Sequence, residues 1–342
     1  MFTKRCRRCL TIVICLLLLL LVWTYLPIGR GHWNDRQINK IQTAPVVNDF
    51  CFAVLANNRD GFDVFHRIIK DLNRQNFIFA IDIGDLVSDG DKEKYRIFYD
   101  QIKNSKNPFL TAIGNHDTKT NGRINYYNVF GDFYYSFGYG DSLFVVLDDA
   151  NMDAIDSDQL DFLALQLSRN FKHKFVFLHV PPFDPRRNPE DVPKIIGQWV
   201  KPEHRLSNLA NAREFMSMMS EYKVETVFAS QSLGYFENAD RSVKYVVTGG
   251  AGTEITHLDS EHYFYNYVKV CLVNGAVTHE VVKISPPDNN NYPLNYLTWP
   301  RLWYIIIVNR TVLILSSISL ILVIGLIYEY RDKLARIFKR PE

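Results

Sequence analysis

Cysteine is scarce, with five in 342 residues. Cys6, Cys9 and Cys15 sit in or beside an apolar N-terminal run, and only Cys51 and Cys271 fall in the central part of the chain. So few cysteines exclude a fold held by a disulfide framework. Cys6-Arg-Arg-Cys9 has no second Cys-x-x-Cys to complete a zinc site, which leaves S-acylation as the reading for that pair. Cys51 and Cys271 are either bridged in an oxidising compartment or two buried thiols, and the sequence does not choose. Net charge is also small, at +2, so no nucleic-acid partner is expected. Internal repeats and low-complexity segments are absent. Charged residues at 22% beside hydrophobic residues at 47% exclude a disordered chain.

What is present begins with two long apolar runs, residues 10–26 and 312–328. At 1.5 Å per residue, each is about long enough to cross a hydrocarbon layer of roughly 30 Å. The first, preceded by Lys4, Arg5, Arg7 and Arg8, also has the form of a signal peptide. Its exit, Trp23-Thr24-Tyr25-Leu26-Pro27, offers no small-x-small cleavage site and suits an interfacial anchor, so a retained span is expected. The C-terminal tail carries Arg331, Lys333, Arg336, Lys339 and Arg340, so both basic tails are expected in the cytoplasm and the central domain on the opposite side. Arg301 and Arg310 dilute that signal slightly, and Trp299, Trp303 and Tyr304 are expected in the outer interface. The resulting plan is a basic tail (1–9), a span (10–27), a linker (28–48), a domain (49–286), a juxtamembrane linker (287–303), a span (304–329) and a basic tail (330–342). Ser316, Ser317, Ser319 and Gly325 permit close helix contact with a membrane-protein partner.

Within the domain, short apolar strands alternate with amphipathic helices. Strands are expected over 50–55, 77–83, 108–113, 175–178 and 226–229, with helices over 62–73, 92–102, 159–167 and 212–222. Residues 134–137 and 143–147 read as paired antiparallel strands. Residues 263–273 and 277–284 read as a closing hairpin about Asn274-Gly275. The stretch 183–211 is polar and irregular, with the form of a lid or extra subdomain. The plan is α/β and layered, with functional loops along one rim of a sheet.

Those loops carry the chemistry. The strand ends present Asn57 and Arg59, then Gly84-Asp85, then Gly114-Asn115-His116-Asp117, then His179-Val180-Pro181-Pro182, then Ser230-Gln231-Ser232-Leu233. Asp85, Asn115 and His179 form a mixed oxygen and nitrogen set of the kind that holds a divalent ion. His116 is placed to give a proton to a leaving oxygen, and Asp117 to hold that imidazole charged and aimed. Arg59 suits a phosphoryl oxygen, or equally a salt bridge. His204, His257 and His262 are further nitrogens in loops. Gly249 to Gly252 lacks the Lys-Ser/Thr of a phosphate loop and reads as a tight backbone crossing.

In this order the motifs resemble those of the calcineurin-like metallophosphoesterase superfamily over residues 48–285. Tyr135-Ser136-Phe137, Gln159-Leu160 and His179-Val-Pro-Pro are similar to its purple-acid-phosphatase branch. The resemblance implies a four-layer double β-sandwich flanked by helices. It also implies metal-dependent phosphate ester hydrolysis, with two metals sharing the Asp85 position. The chain departs from the pattern where it counts. Asn57 and Arg59 stand at an Asp-x-His motif, and Gln231 and Leu233 stand where two histidine ligands belong. One implied metal position keeps only Asp85 and Asn57, while the other keeps Asp85, Asn115 and His179, with Gln231 offering an oxygen. The expectation is at most one divalent ion (Mn, Fe or Zn), or none, in a pseudoenzyme or weakly active protein that binds or scaffolds. The alternatives are a single-metal esterase acting on a phosphate ester or lipid-linked phosphate, and a structural subunit of a membrane complex.

Overall fold

The computed structural model describes residues 4–186, 204–255, 261–286, 306 and 309–338. His257, Trp299, Arg301, Trp303, Tyr304 and most of the irregular stretch lie outside them. The chain divides into two compact units, one of residues 28–295 and the other of the two terminal segments.

The central unit holds two β-sheets. Strands β1 (Phe50–Leu55), β2 (Ala80–Asp82), β3 (Phe109–Thr111), β10 (Asn266–Val273) and β11 (Ala276–Lys283) form the first, in the order β11-β10-β1-β2-β3. The second comprises β4 (Tyr135–Tyr139), β5 (Ser142–Val146), β6 (His173–Phe177), β7 (Thr226–Ala229), β8 (Phe236–Asp240) and β9 (Val243–Val247), in the order β4-β5-β6-β7-β9-β8. Alternation along β1 explains how they stack. Phe52 and Val54 face the second sheet, while Ala53 and Leu55 face helices. Phe52 is the hub of the inter-sheet core, 5.1 Å from Phe79, 5.4 Å from Phe144 and 5.2 Å from Phe175 between ring centroids. This aromatic filling accounts for the phenylalanine-rich composition. Helices α3 (Phe62–Leu72), α4 (Lys92–Ile102) and α5 (Gly122–Phe130) cover the first sheet. Helices α6 (Ser157–Leu167) and α7 (Leu209–Glu221) cover the second. The four layers match the expected sandwich.

The region 28–48, expected as an irregular linker, instead contains helix α2 (Trp33–Thr43). It belongs to the domain because it finishes a sheet edge. Trp33 Nε1 donates to the Phe109 carbonyl, Asn34 Nδ2 donates to the Thr111 carbonyl, and the Thr111 amide donates to Asn34 Oδ1. The open side of β3 is thereby paired by side chains rather than left as a template for another strand. A polar sequence concealed this, since Asn34 and Gln37 are themselves buried. The β10–β11 hairpin turns on Asn274 and Gly275, both at positive φ, as the dipeptide predicted. Strand β8 and helix α5 had no clear periodic signal. Cys51 and Cys271 are bonded, joining β1 to its neighbour β10.

In the terminal unit, α8 (Arg310–Phe338) contains the stretch 310–327, the one described helix long and apolar enough to cross a membrane. The N-terminal helix α1 (Lys4–Tyr25) carries the apolar stretch Cys9–Val22, which is shorter. Of the two expected spans, one therefore meets the length and composition requirement among the described residues.

Candidate phosphoesterase site

The predicted strand-end residues converge on one rim, where their backbones are unusual. Asn57, Arg59, Asp60, Asp85 and Gln231 all have positive φ, between 42° and 65°. Side chains rarely adopt that conformation without surrounding constraint, and it clusters where a site is held in shape. Close approach adds to the constraint. A Cβ on Gly114 would lie 2.2 Å from the Asp85 amide nitrogen, and one on Gly249 would lie 1.9 Å from the Ser232 carbonyl. The glycine run at 249–252 is thus a tight crossing, as expected.

Asp85 is the centre. Its Oδ1 accepts from the His116 amide at 2.8 Å and lies 3.4 Å from His179 Nε2, while its Oδ2 lies 3.2 Å from Arg59 Nε. Burial pushes its pKa up, but the His179, Arg59 and His116 charges more than offset that and lower it to about 2. His179 is fully buried. Its Nδ1 donates to the Ile83 carbonyl at 3.0 Å, and its Nε2 lies 3.0 Å from Gln231 Oε1. Burial pulls its pKa down, and Asp85 and Asp149 reverse this, taking it to about 9. Both ring nitrogens then donate, and the imidazolium and the guanidinium flank one carboxylate.

Asn57 is buried, donates from Nδ2 to Ser230 Oγ at 2.8 Å, and leaves its Oδ1 without a partner. Asn115 Oδ1 is likewise buried and unpartnered. Leu233 brings no donor.

Asp117 departs from its expected place. It does not bond to the His116 ring. Its oxygens accept from the amides of Leu86, Val87 and Gly114 at 3.1, 3.1 and 2.8 Å. Burial and the Asp85 charge nevertheless push its pKa up to about 7. It ties the Gly84-Asp85 loop to the Gly114 loop. His116 rests instead on the Ser88 carbonyl, 2.8 Å from Nδ1, with Lys119 Nζ 2.8 Å from the same nitrogen. Burial lowers its pKa, and Arg59 and Lys119 add to that against Asp85 and Ser88, which disfavours the charged form a proton donor needs.

One positioning residue escaped sequence reading. Asp149 accepts from the amides of His179 and Val180 at 2.9 and 2.8 Å, fixing the histidine loop. The Asp148-Asp149 pair after an apolar strand was the available signal. His262 stacks on Phe236 and bonds to the Tyr235 carbonyl, so it is spent on packing. Among the described residues no group of three His, Cys, Asp or Glu side chains is arranged to hold a metal ion.

The model for calcineurin-like phosphoesterases matches residues 46–249, more than half of the chain. The chain belongs to this family. A probable cyclic nucleotide phosphodiesterase of Xenorhabdus bovienii is 31% identical over 81 residues, 20% of this chain and 33% of that protein. Among solved structures, a purple acid phosphatase from yellow lupin is similar at TM-score 0.52 and 16% identity over 69% of this chain and 51% of its own. GAP50, the anchor in the inner membrane complex of Plasmodium, is similar at 0.53 and 14% over 69% and 85%. A dimetal phosphatase from Danio rerio is similar at 0.53 and 12% over 70% and 97%. The chain spans about a third of the curated relative and about half of the lupin enzyme. At these identities the structures speak for the fold alone.

The family's divalent metals can be tested against the residues present. Asp85, the orphaned Asn115 Oδ1, His179 Nε2 and Gln231 Oε1 suit one cation, with His179 already oriented by its bond to Ile83. The second position does not fit. Asn57 is neutral, Leu233 is apolar, and Arg59 is paired with Asp85 Oδ2.

Proposed function

We propose that the chain is a membrane-anchored pseudoenzyme of the phosphoesterase family, whose domain binds or scaffolds rather than turning over phosphate esters. The observation that carries this is Arg59, whose Nε lies 3.2 Å from Asp85 Oδ2 and so brings a side-chain cation to the carboxylate that two metals would share. A lone divalent ion at Asp85, Asn115, His179 and Gln231 would supply Lewis-acid charge, but without a partner ion it acidifies water less. His116, whose charged form is disfavoured by burial, is poorly prepared to protonate a leaving group. The same fold serves as an anchor in the Plasmodium protein.

Anchoring by both terminal helices, with both tails cytoplasmic and the domain extracytoplasmic, is part of the proposal. The Cys51–Cys271 bridge supports that side, since such bonds persist in oxidising compartments. Association with a membrane-protein partner through α8 is part of it too. The test takes the full chain in mild detergent, loads it with Mn, Fe or Zn, and measures bound metal and hydrolysis of an aryl phosphate and an aryl phosphodiester. We expect at most one ion per chain and no hydrolysis above that of the His116→Ala variant. Two ions per chain with turnover that His116→Ala abolishes would refute the reading.

A second reading is favoured by the unpartnered Asn115 Oδ1, which invites one cation. Hydrolysis proportional to a single bound ion, of a phosphate ester or lipid-linked phosphate, would establish that single-metal enzyme.

A further inference from the structure

We propose that the outward face of helix α5 rests on the lipid surface that α1 enters, holding the domain against the membrane through Ile124 and Tyr127; this rests on the membrane-anchored reading and names the surface that meets the lipid. Helix α5 is apolar on two sides. Tyr126, Val129 and Phe130 are buried in the core between the first sheet and its helices. Ile124 and Tyr127, three residues apart and so on one other face, are 65% and 43% exposed. That second apolar face is why the sequence of α5 shows no clear period. A helix apolar all round belongs in a core or in lipid, and this one has an apolar face left open. Its one charged residue, Arg123, is paired with Asp148 at 2.6 Å.

The length of the chain brings this face to the membrane. Helix α1 ends at Tyr25 and Ile28 is already buried in the domain, so only Leu26 and Pro27 lie between. Three residue steps reach about 10 Å at most, which bounds how far the domain's entry point can stand from the end of α1. Helix α5 packs beside that entry point. The Tyr127 ring stands edge-on to His32, with 5.8 Å between centroids. A Cβ on Gly31 would lie 3.1 Å from the Asn128 carbonyl oxygen, and one on Gly131 would lie 3.5 Å from His32 Cα. The short tether of residues 26–27 is thereby a short tether for α5 as well.

The side chains suit a headgroup boundary: tyrosine has an apolar ring with a polar tip, and isoleucine is wholly apolar. Charges in this neighbourhood are mixed, since Arg30, Asp35 and Asp132 are all exposed. The contact is therefore apolar and does not depend on anionic lipid. Because the tether makes it intramolecular, two side chains suffice where a free protein would need a larger patch.

The test places the full chain in phosphatidylcholine nanodiscs, with Cys6→Ser, Cys9→Ser and Cys15→Ser as background and a polarity-sensitive fluorophore attached at Ile124→Cys. Lipid carrying a nitroxide near its headgroup quenches the probe where the two meet. We expect a blue-shifted emission at 124 and quenching roughly threefold stronger than at Val273→Cys. Val273 serves as the control because it is exposed and lies on β10, toward the sheet edge opposite the β3 edge that α2 finishes. Tyr127→Cys, also exposed, is read in the same way and decides the matter if the first variant fails to fold. Equal quenching at 124 and 273, or none at 124, overturns the inference. A blue shift that grows with the number of chains per disc, without lipid quenching, assigns the face to a second copy and overturns it as well. Alkaline carbonate extraction of the same chain keeps the two readings apart. A chain that resists extraction but shows no quenching at 124 is anchored without the lipid contact, whereas a chain released by carbonate refutes the anchoring itself.

Discussion

Replacing Asp85 by Asn should destabilise the metal-free protein, and the sign of that change is diagnostic. In an acidic site built for two dications, the stripped protein carries unneutralised negative charge, and removing a carboxylate relieves it. Here Asp85 is already flanked by His179 and Arg59. The size of the effect follows from His179, whose pKa rises from an ordinary 6.5 to about 9. At 1.36 kcal/mol per tenfold change, that is about 3 kcal/mol. The fall of Asp85 to about 2 reports the same interaction from its other side and is not added to it. A histidine whose folded pKa is raised contributes its full stability below about 6.5 and loses it as pH rises through about 9. The Asp85 share is present above about 3.8 and lost as pH falls through about 2. Urea unfolding in EDTA should therefore show Asp85→Asn less stable by about 3 kcal/mol at pH 6. The gap should shrink by pH 9.5 to the share held by Arg59. A variant as stable as wild type at pH 6, or more stable, would refute the argument that side-chain cations replace metal here.

The combined reversion Asn57→Asp, Arg59→His, Gln231→His and Leu233→His should raise bound Mn or Zn toward two ions per chain, read by elemental analysis, because only side chains are missing from the rim. Removing the Cys51–Cys271 bridge with Cys51→Ala should lower unfolding free energy by about 2–5 kcal/mol, since it closes a separation of 220 residues, and in the untreated protein neither thiol should react with an alkylating reagent. Asn34→Ala should cost about 1–3 kcal/mol in thermal or urea unfolding and promote aggregation, because it strips the Thr111 amide and carbonyl of their partners at the β3 edge.

Much of the fold was legible because its cues are local. The helix at 92–102 and the turn at Asn274-Gly275 follow from periodicity and from one dipeptide, and both appear where expected. The order of strand-end motifs is what led Asp85, Asn115, His179, Gln231, Asn57 and Arg59 to be expected on one rim, where Asp85 meets Arg59 and His179, and His179 meets Gln231. What stayed hidden depends on tertiary partners. The helix at 33–43 is polar because its buried residues bond to a strand nearly eighty positions away, and no window of local sequence contains that reason. Asp117 was assigned to His116 from adjacency, whereas the folded loop turns its carboxylate to three amides. Asp149 was passed over because a carboxylate that holds backbone amides has no motif of its own.

The left-handed residues around Asp85 and Gln231 carry one more consequence. A conformation that is enriched where sites are held in shape carries Asn57, Arg59, Asp85 and Gln231 here. New chemistry at this rim, natural or designed, would start from a preset main chain and need to choose only what hangs from it.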